Sequence, residues 1–98
     1  MIMIIGKRWF QKTWGNTYHS VRVSIDGNEI GYEPYSYGYG DQYLQTAHEI
    51  LQKAGLFPKT GKRFASGMDI DYHEFLMASR DKSKFTIVVV DVDRKKDL

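Results

Sequence analysis

Three histidines, His19, His48 and His73, are the first residues of this sequence to suggest chemistry. They stand in no HxH, HxxxH or HExxH spacing, so a zinc ion would need them brought together from separate elements, with an Asp completing the set. "DIDYHE" supplies Asp69, Asp71 and Glu74, oxygen enough for a hard cation. It lacks the EF-hand glycine and ligand spacing, however, and acids gather at helix starts because they complement the helix dipole. No Ser occupies a GxSxG setting, and no acid–base pair at catalytic spacing can be assigned. "KTGKR" lacks the GxxxxGK[ST] spacing of a phosphate-binding loop and the strand that precedes one. These absences lead us to expect a binding protein, not an enzyme, with no catalytic residue, no metal site and no cofactor.

The aromatic residues offer binding chemistry instead. "GYEPYSYGYGDQYLQTAHEIL", residues 31–51, holds five of the seven tyrosines: Tyr32, Tyr35, Tyr37, Tyr39 and Tyr43. Gly38 and Gly40 permit backbone angles that other residues avoid, and the N–H groups of Gln42 and Tyr43 open a helix. An anion can dock at such an end while Tyr37 or Tyr39 stacks on a base. Asp41 works against this, because its carboxylate competes for the same N–H groups and repels an anion. The rings either pack the loop onto the fold or face a partner. Tyr32, expected on the strand face of Val23, and Tyr43, in the first helical turn, are assigned to the fold; Tyr37 and Tyr39, between the glycines, are assigned to a ligand.

A second aromatic cluster, "KRWFQKTWGNTYH", interleaves both tryptophans, Phe10 and Tyr18 with Lys7, Arg8, Lys12 and His19. That pattern suits single-stranded nucleic acid, a nucleotide or an acidic protein groove. Cross-strand aromatic pairs also stabilise a hairpin with no partner at all. Arg8 and Trp14 from this cluster, with Lys62 and Arg63 downstream, complete the candidate ligand set.

Stepping from these residues to the elements that carry them, 98 residues amount to one domain with a limited core. With no Cys there are no disulfides and no thiolate chemistry. The apolar "MIMIIG" is too short to span a bilayer and lacks the basic flank and cleavage site of a signal peptide, so a cytoplasmic protein without membrane contact is expected. Net charge is only +2, which argues against a binder driven by bulk charge. The charges are nevertheless segregated: residues 1–25 carry bases without acids, 26–50 acids without bases, and 51–67 bases again. Such blocks either form a local basic surface or cancel across paired strands.

"SVRVSID" alternates as a half-buried strand, and Gly27-Asn28 suits a two-residue hairpin turn that would pair Ile25 with Ile30 and Val23 with Tyr32. A two-residue turn at Gly15-Asn16 would place Arg8 and Lys12 on the valine face, so a longer loop or a bulge is expected there. Asp41 reads as the cap of a helix carrying Leu44, Ala47, His48 and Leu51, stopped at Gly55-Leu56. Asp71 reads as the cap of a short second helix, with Glu74 in capping-box spacing. "FTIVVVDV" scarcely alternates and is expected to lie centrally, covered on both faces. The order β-β-β-α-α-β gives an α+β domain over residues 1–98, an antiparallel sheet of about four strands with helices packed on one face. Because "IVVV" and "MIMII" are apolar on both faces, a homodimer is expected to close the other.

"WFQKTWGNTYHSVRV", "YGYGDQYLQTA" and "VDVDRKKDL" resemble a family of small accessory proteins of tailed bacteriophages. The resemblance spans most of the chain and brings no mapped functional residues with it. It implies a phage protein acting in the bacterial host cell, in the setting where phages counter host defence. Three functions are weighed: sequestration of a small anionic or nucleotide ligand; an inhibitor that occupies a host defence protein or nucleoprotein complex, in the manner of anti-CRISPR proteins; and a small hydrolase or nuclease. The missing motifs disfavour the last.

Overall fold

The computed structural model describes residues 1–98. Three strands, β1 (Ile2–Gln11), β2 (Asn16–Ile25) and β3 (Asn28–Tyr37), precede helices α1 (Gln42–Lys53) and α2 (Ile70–Ala78). Strand β4 (Phe85–Val92) and a 3-10 turn, Lys95–Asp97, close the chain. This is the expected α+β order. The sheet runs β3-β2-β1-β4. The first three strands are antiparallel as expected, but β4 joins β1 in parallel, which corrects the all-antiparallel expectation to a mixed sheet. A parallel partner needs a crossover, and the two helices supply it by carrying the chain across one face of the sheet.

Cross-strand partners share a face, so the register sorts the side chains. Ile4 stands between Val23 and Ile87, and Gly6 between Val21 and Val89. That face meets Tyr43, Ala47 and Leu51 of α1 and Phe75 of α2, and Ile4, Val21, Val23, Ala47, Leu51 and Phe75 are fully buried. The opposite face carries Met3, Val88 and Val90, all exposed, so one helical layer covers one side only.

Four local expectations are corrected. The β2–β3 turn is Asp26-Gly27, not Gly27-Asn28: both residues have positive φ (50° and 86°), as a type I′ turn demands, and Ile25 pairs with Asn28. With a register shift between Val23 and Ser24, Gly31 falls opposite Val23, and Tyr32 falls opposite Arg22 on the open face. There the Arg22 guanidinium lies 3.8 Å over the Tyr32 ring. Gly31 is the residue that fits beneath the helix, because Ile50 occupies the space a Cβ would take. The cap of α2 is Asp69, whose carboxylate accepts from the Asp71 N–H at 2.9 Å. Asp71 points instead at Thr60. Finally β4 is an edge strand and not a central one, since β1 takes the centre between β2 and β4.

Other signals act where they were read. The β1–β2 connection is the longer loop, with Gln11 opposite Asn16 and Gly15 at φ 70°, but it moves the register by an even number of residues, so Arg8 stays on the valine face that the longer loop was expected to spare. α1 ends in a Schellman stop: Gly55 N–H donates to Gln52, Leu56 N–H donates to Leu51, and Gly55 has φ 82°. Asp41 occupies the N-cap of α1, but its carboxylate makes no capping bond, and its carbonyl accepts from Leu44 N–H at 2.9 Å.

Candidate functional site at the carboxyl ends of the parallel strands

Open sheets place ligands beyond the carboxyl ends of parallel strands, where neighbouring connections part and leave a crevice. β1 and β4 end together here, with Arg8 opposite Asp91. Arg8 follows Gly6 on the helix-covered face. Its Nε donates to Asp91 Oδ1 at 2.8 Å, and its Nη1 donates to the Gly40 carbonyl at 3.1 Å. One guanidinium thus ties together β1, β4 and the Tyr–Gly loop. Around it opens a cleft of about 500 Å³, lined also by Phe10, Lys12, Thr17 and Asp93.

The loop over this cleft is fixed from below. His19 is 1 % exposed and uses both ring nitrogens, Nδ1 at 3.2 Å from the Gly38 carbonyl and Nε2 at 2.7 Å from Thr46 Oγ1. A carbonyl only accepts, so Nδ1 carries the proton, and in the neutral ring Nε2 accepts from the Thr46 hydroxyl. Gly38 N–H donates to the Thr17 carbonyl at 3.0 Å. His19 therefore joins β2, the loop and α1, and is structural.

The cleft mixes charge: Arg8 and Lys12 against Asp91 and Asp93. Arg8 and Asp91 neutralise each other, while Lys12 and Asp93 enter no ion pair. Phe10 is 54 % exposed beside them. The chemistry on offer is a free ammonium, the remaining N–H groups of a fixed guanidinium, a free carboxylate and an accessible aromatic ring.

Of the residues singled out in the sequence, Arg8 lies in the cleft. Tyr37, Tyr39 and Trp14 lie at the same end of the sheet but do not line the cleft: Tyr39 and Trp14 stand in the loops that contribute Gly40 and Lys12, whereas Tyr37, opposite Tyr18 and so on the face of Trp9, lies on the open side. All three are strongly exposed, Tyr39 and Trp14 by more than seven-tenths. Tyr37 meets Tyr18 edge to face at 5.6 Å. Lys62 and Arg63 belong to the α1–α2 connection and do not line the cleft; the Arg63 backbone pairs with that of Asp69 in an isolated antiparallel β-bridge, and its guanidinium donates to the Gly67 carbonyl. Tyr43 is buried in the core, as assigned, whereas Tyr32 lies on the open face.

Much of the remaining aromatic cluster satisfies itself. Tyr18 stacks between Trp9 (5.8 Å) and Tyr35 (4.7 Å), and Lys95 lies 4.7 Å over Tyr35. Thr17, Asp91 and Asp93 were not anticipated as lining residues, and Phe10 and Lys12 were read only as part of a pattern. "VDVD" at the end of an apolar strand was the available signal, but its meaning depends on which strand lies beside it.

The other two histidines stand apart from the cleft. His73 meets Phe64 edge-on at 5.3 Å. His48 is 4 % exposed among Phe57, Tyr72 and Phe75, and its Nε2 has no hydrogen-bond partner. Burial pushes its imidazole below the ordinary range, against the opposing pull of Asp69 and Asp71. His48 borders a groove of about 800 Å³ with Gln45, Glu49, Lys59, Asp69 and Tyr72. No group of three His, Asp or Glu stands close enough to hold a metal ion. No helix is long and apolar enough to cross a membrane.

No protein-family model matches this chain, and no curated protein sequence matches it. Among solved structures it is similar to LC11-RNase H1, whose crystal structure is in complex with an RNA/DNA hybrid. The identity is 12%, the similarity covers 98% of this chain and 88% of that one, and the TM-score is 0.41. A likeness of that extent assigns no activity to this chain.

Proposed function

We propose that this chain is a non-catalytic, phage-type binding protein that sequesters a small anionic ligand of the nucleotide class in the Arg8 cleft, countering host defence in the bacterial cytoplasm. The observation that carries this reading is Arg8 itself. Its guanidinium is held on two sides, by Asp91 and by the Gly40 carbonyl, beside the unpaired Lys12 and the exposed ring of Phe10. A phosphate takes its contacts from Lys12 and the outer N–H groups of Arg8, a base stacks on Phe10, and Asp93 accepts from a sugar hydroxyl. Tyr39 and Trp14 supply further rings at the rim. Mixed charge favours a nucleotide over a bare anion, which the two carboxylates would repel.

The test is mass spectrometry of small molecules released by denaturing protein purified from host cells, followed by calorimetric titration of the released compound. A nucleotide recovered unchanged, with affinity that falls as salt rises, supports the reading. A chemically altered compound would make the protein an enzyme, and binding unaffected by Arg8→Gln and Lys12→Ala would place the ligand elsewhere.

A second reading, an inhibitor of a host defence protein or nucleoprotein complex, is favoured by the bare sheet face with Met3, Val88 and Val90 exposed. Under that reading the chain co-purifies with a macromolecule at fixed stoichiometry and releases no small molecule.

A further inference from the structure

We propose that two copies of this chain join through the free edge of β4, antiparallel and about a two-fold axis, into one continuous eight-stranded sheet. The two edges of the sheet are unlike. β3 is blunted by Pro34, by Glu29 and Glu33, and by two register shifts against β2, all devices that discourage strand addition. β4 has none of these: from Phe85 to Val90 it carries no charge, no proline and no bulge, and its outer side pairs with nothing. Ile2 N–H donates to the Lys84 carbonyl. By alternation the N–H groups of Thr86, Val88 and Val90 turn toward β1, and those of Ile87 and Val89 turn outward.

The occupant follows from charge. Around the apolar run the sequence reads "KSKFTIVVVDVD", with Lys82 and Lys84 at one end and Asp91 and Asp93 at the other. None of these except Asp91 is held in an ion pair. Antiparallel self-pairing sets the basic end of one copy against the acidic end of the other; parallel pairing would set like on like. A two-fold axis perpendicular to the sheet keeps both open faces on one side and pairs residues of the same parity. Val88 then faces its own copy, Ile87 bonds with Val89, and Lys84 falls opposite Val92 between Asp91 and Asp93. By the same alternation Lys84 stands on the open face with Val88, whereas Asp91, opposite Arg8, stands on the helix-covered face, so the lysines complement the acidic strand end without entering the cleft.

Sedimentation velocity on the full chain, from low to high micromolar, with amide hydrogen exchange at both extremes, tests the pairing. A monomer–dimer equilibrium is expected, with the Ile87 and Val89 amides gaining protection as concentration rises. Val88→Lys, at a site already exposed, should abolish the dimer without lowering the melting temperature of the monomer. Lys84→Glu should weaken association by about tenfold or more, and adding Asp93→Lys should restore it. A monomer at all concentrations overturns the proposal, as does a dimer whose Ile87 and Val89 amides exchange as fast as in the monomer, or one that Val88→Lys leaves intact. Nucleotide titration separates the two claims. A dimer that binds no nucleotide keeps the pairing and removes the ligand reading, whereas a monomer that binds nucleotide does the reverse.

Discussion

The ring of Tyr43 fills the place where a side chain on Gly6 would be: a Cβ built on Gly6 falls 2.6 Å from Tyr43 Cδ2 and 3.0 Å from Cγ. Gly6 sits in the central strand one step before Arg8 on the same face. The contact sets how closely the start of α1, and with it the Tyr–Gly loop, approaches the cleft.

Gly6→Ala is therefore expected to destabilise by about 1–3 kcal/mol, the usual cost of forcing a methyl group into a packed core. Equilibrium denaturation measures it. Because the clash is with one ring, combining Gly6→Ala with Tyr43→Leu should cost less than the sum of the two changes. Additive losses would mean that the sheet yields instead of the ring.

His19→Phe keeps the bulk of the ring and removes both hydrogen bonds. The Gly38 carbonyl is then left without its partner, whereas the Thr46 hydroxyl can still donate to the Gln42 carbonyl at 3.5 Å; the cost is about 1–3 kcal/mol. Amide exchange should quicken most in the loop around Gly38 and at the first turn of α1, while the centre of β1 stays protected. A uniform loss of protection would show that His19 supports the whole fold and not the loop.

Three groups, His48, Asp71 and Asp81, predict an acid limb in stability. The His48 imidazole is pushed down from its ordinary value of 6.5 by burial, so the unfolded chain takes up a proton before the folded one does. Its contribution is complete above 6.5 and is lost as pH falls toward the lower native value. Asp71 is held below its ordinary value of 3.8, chiefly by the Thr60 hydroxyl at 2.6 Å and then by the Thr60 N–H at 2.8 Å. Its contribution is present above 3.8 and disappears as pH falls through the depressed native value. Melting curves against pH should show both steps; His48→Phe should flatten the first, and Asp71→Asn should reduce the second, to which Asp81, held down by the Ser83 hydroxyl and N–H, also contributes.

For the ligand, Tyr39→Ala should cost on the order of 1–3 kcal/mol of binding with little change in melting temperature, since the ring is exposed beside Gly40. Tyr37→Ala, on the open face opposite Tyr18, should leave affinity unchanged. Tyr18→Ala, which removes the middle of the Trp9–Tyr18–Tyr35 stack, should lower stability instead. Lys62→Ala and Arg63→Ala should leave affinity unchanged, because neither residue lines the cleft. Loss of affinity in those two variants would place the ligand on the α1–α2 connection.

How much of this was legible in the residues depended on how local each signal is. The alternation in "SVRVSID", the Gly55-Leu56 stop and the helical spacing from Leu44 to Leu51 are short-range patterns, and each formed where it was read. The hairpin turn failed by one residue because Asp26-Gly27 and Gly27-Asn28 both tolerate positive φ. The choice belongs to the strands: only one register puts Gly31, and not Tyr32, under Ile50. Asp69 and Asp71 lie two residues apart with the same chemistry, and what separated their roles was Thr60, which the fold delivers to Asp71.

The sequence by itself determined the kinds and order of elements, the absence of thiol chemistry, and which tyrosines are flanked by glycine. These follow from propensity, periodicity and residue type, all of which act within a few positions along the chain. Tertiary structure alone decided that β4 lies parallel to β1, and with it that Arg8 meets Asp91 and that a cleft opens between them. An apolar run such as "FTIVVV" suits a central or an edge strand equally. Its place is settled by where the two-helix crossover returns it, and that depends on the packing of Tyr43, Leu51 and Phe75 against the sheet.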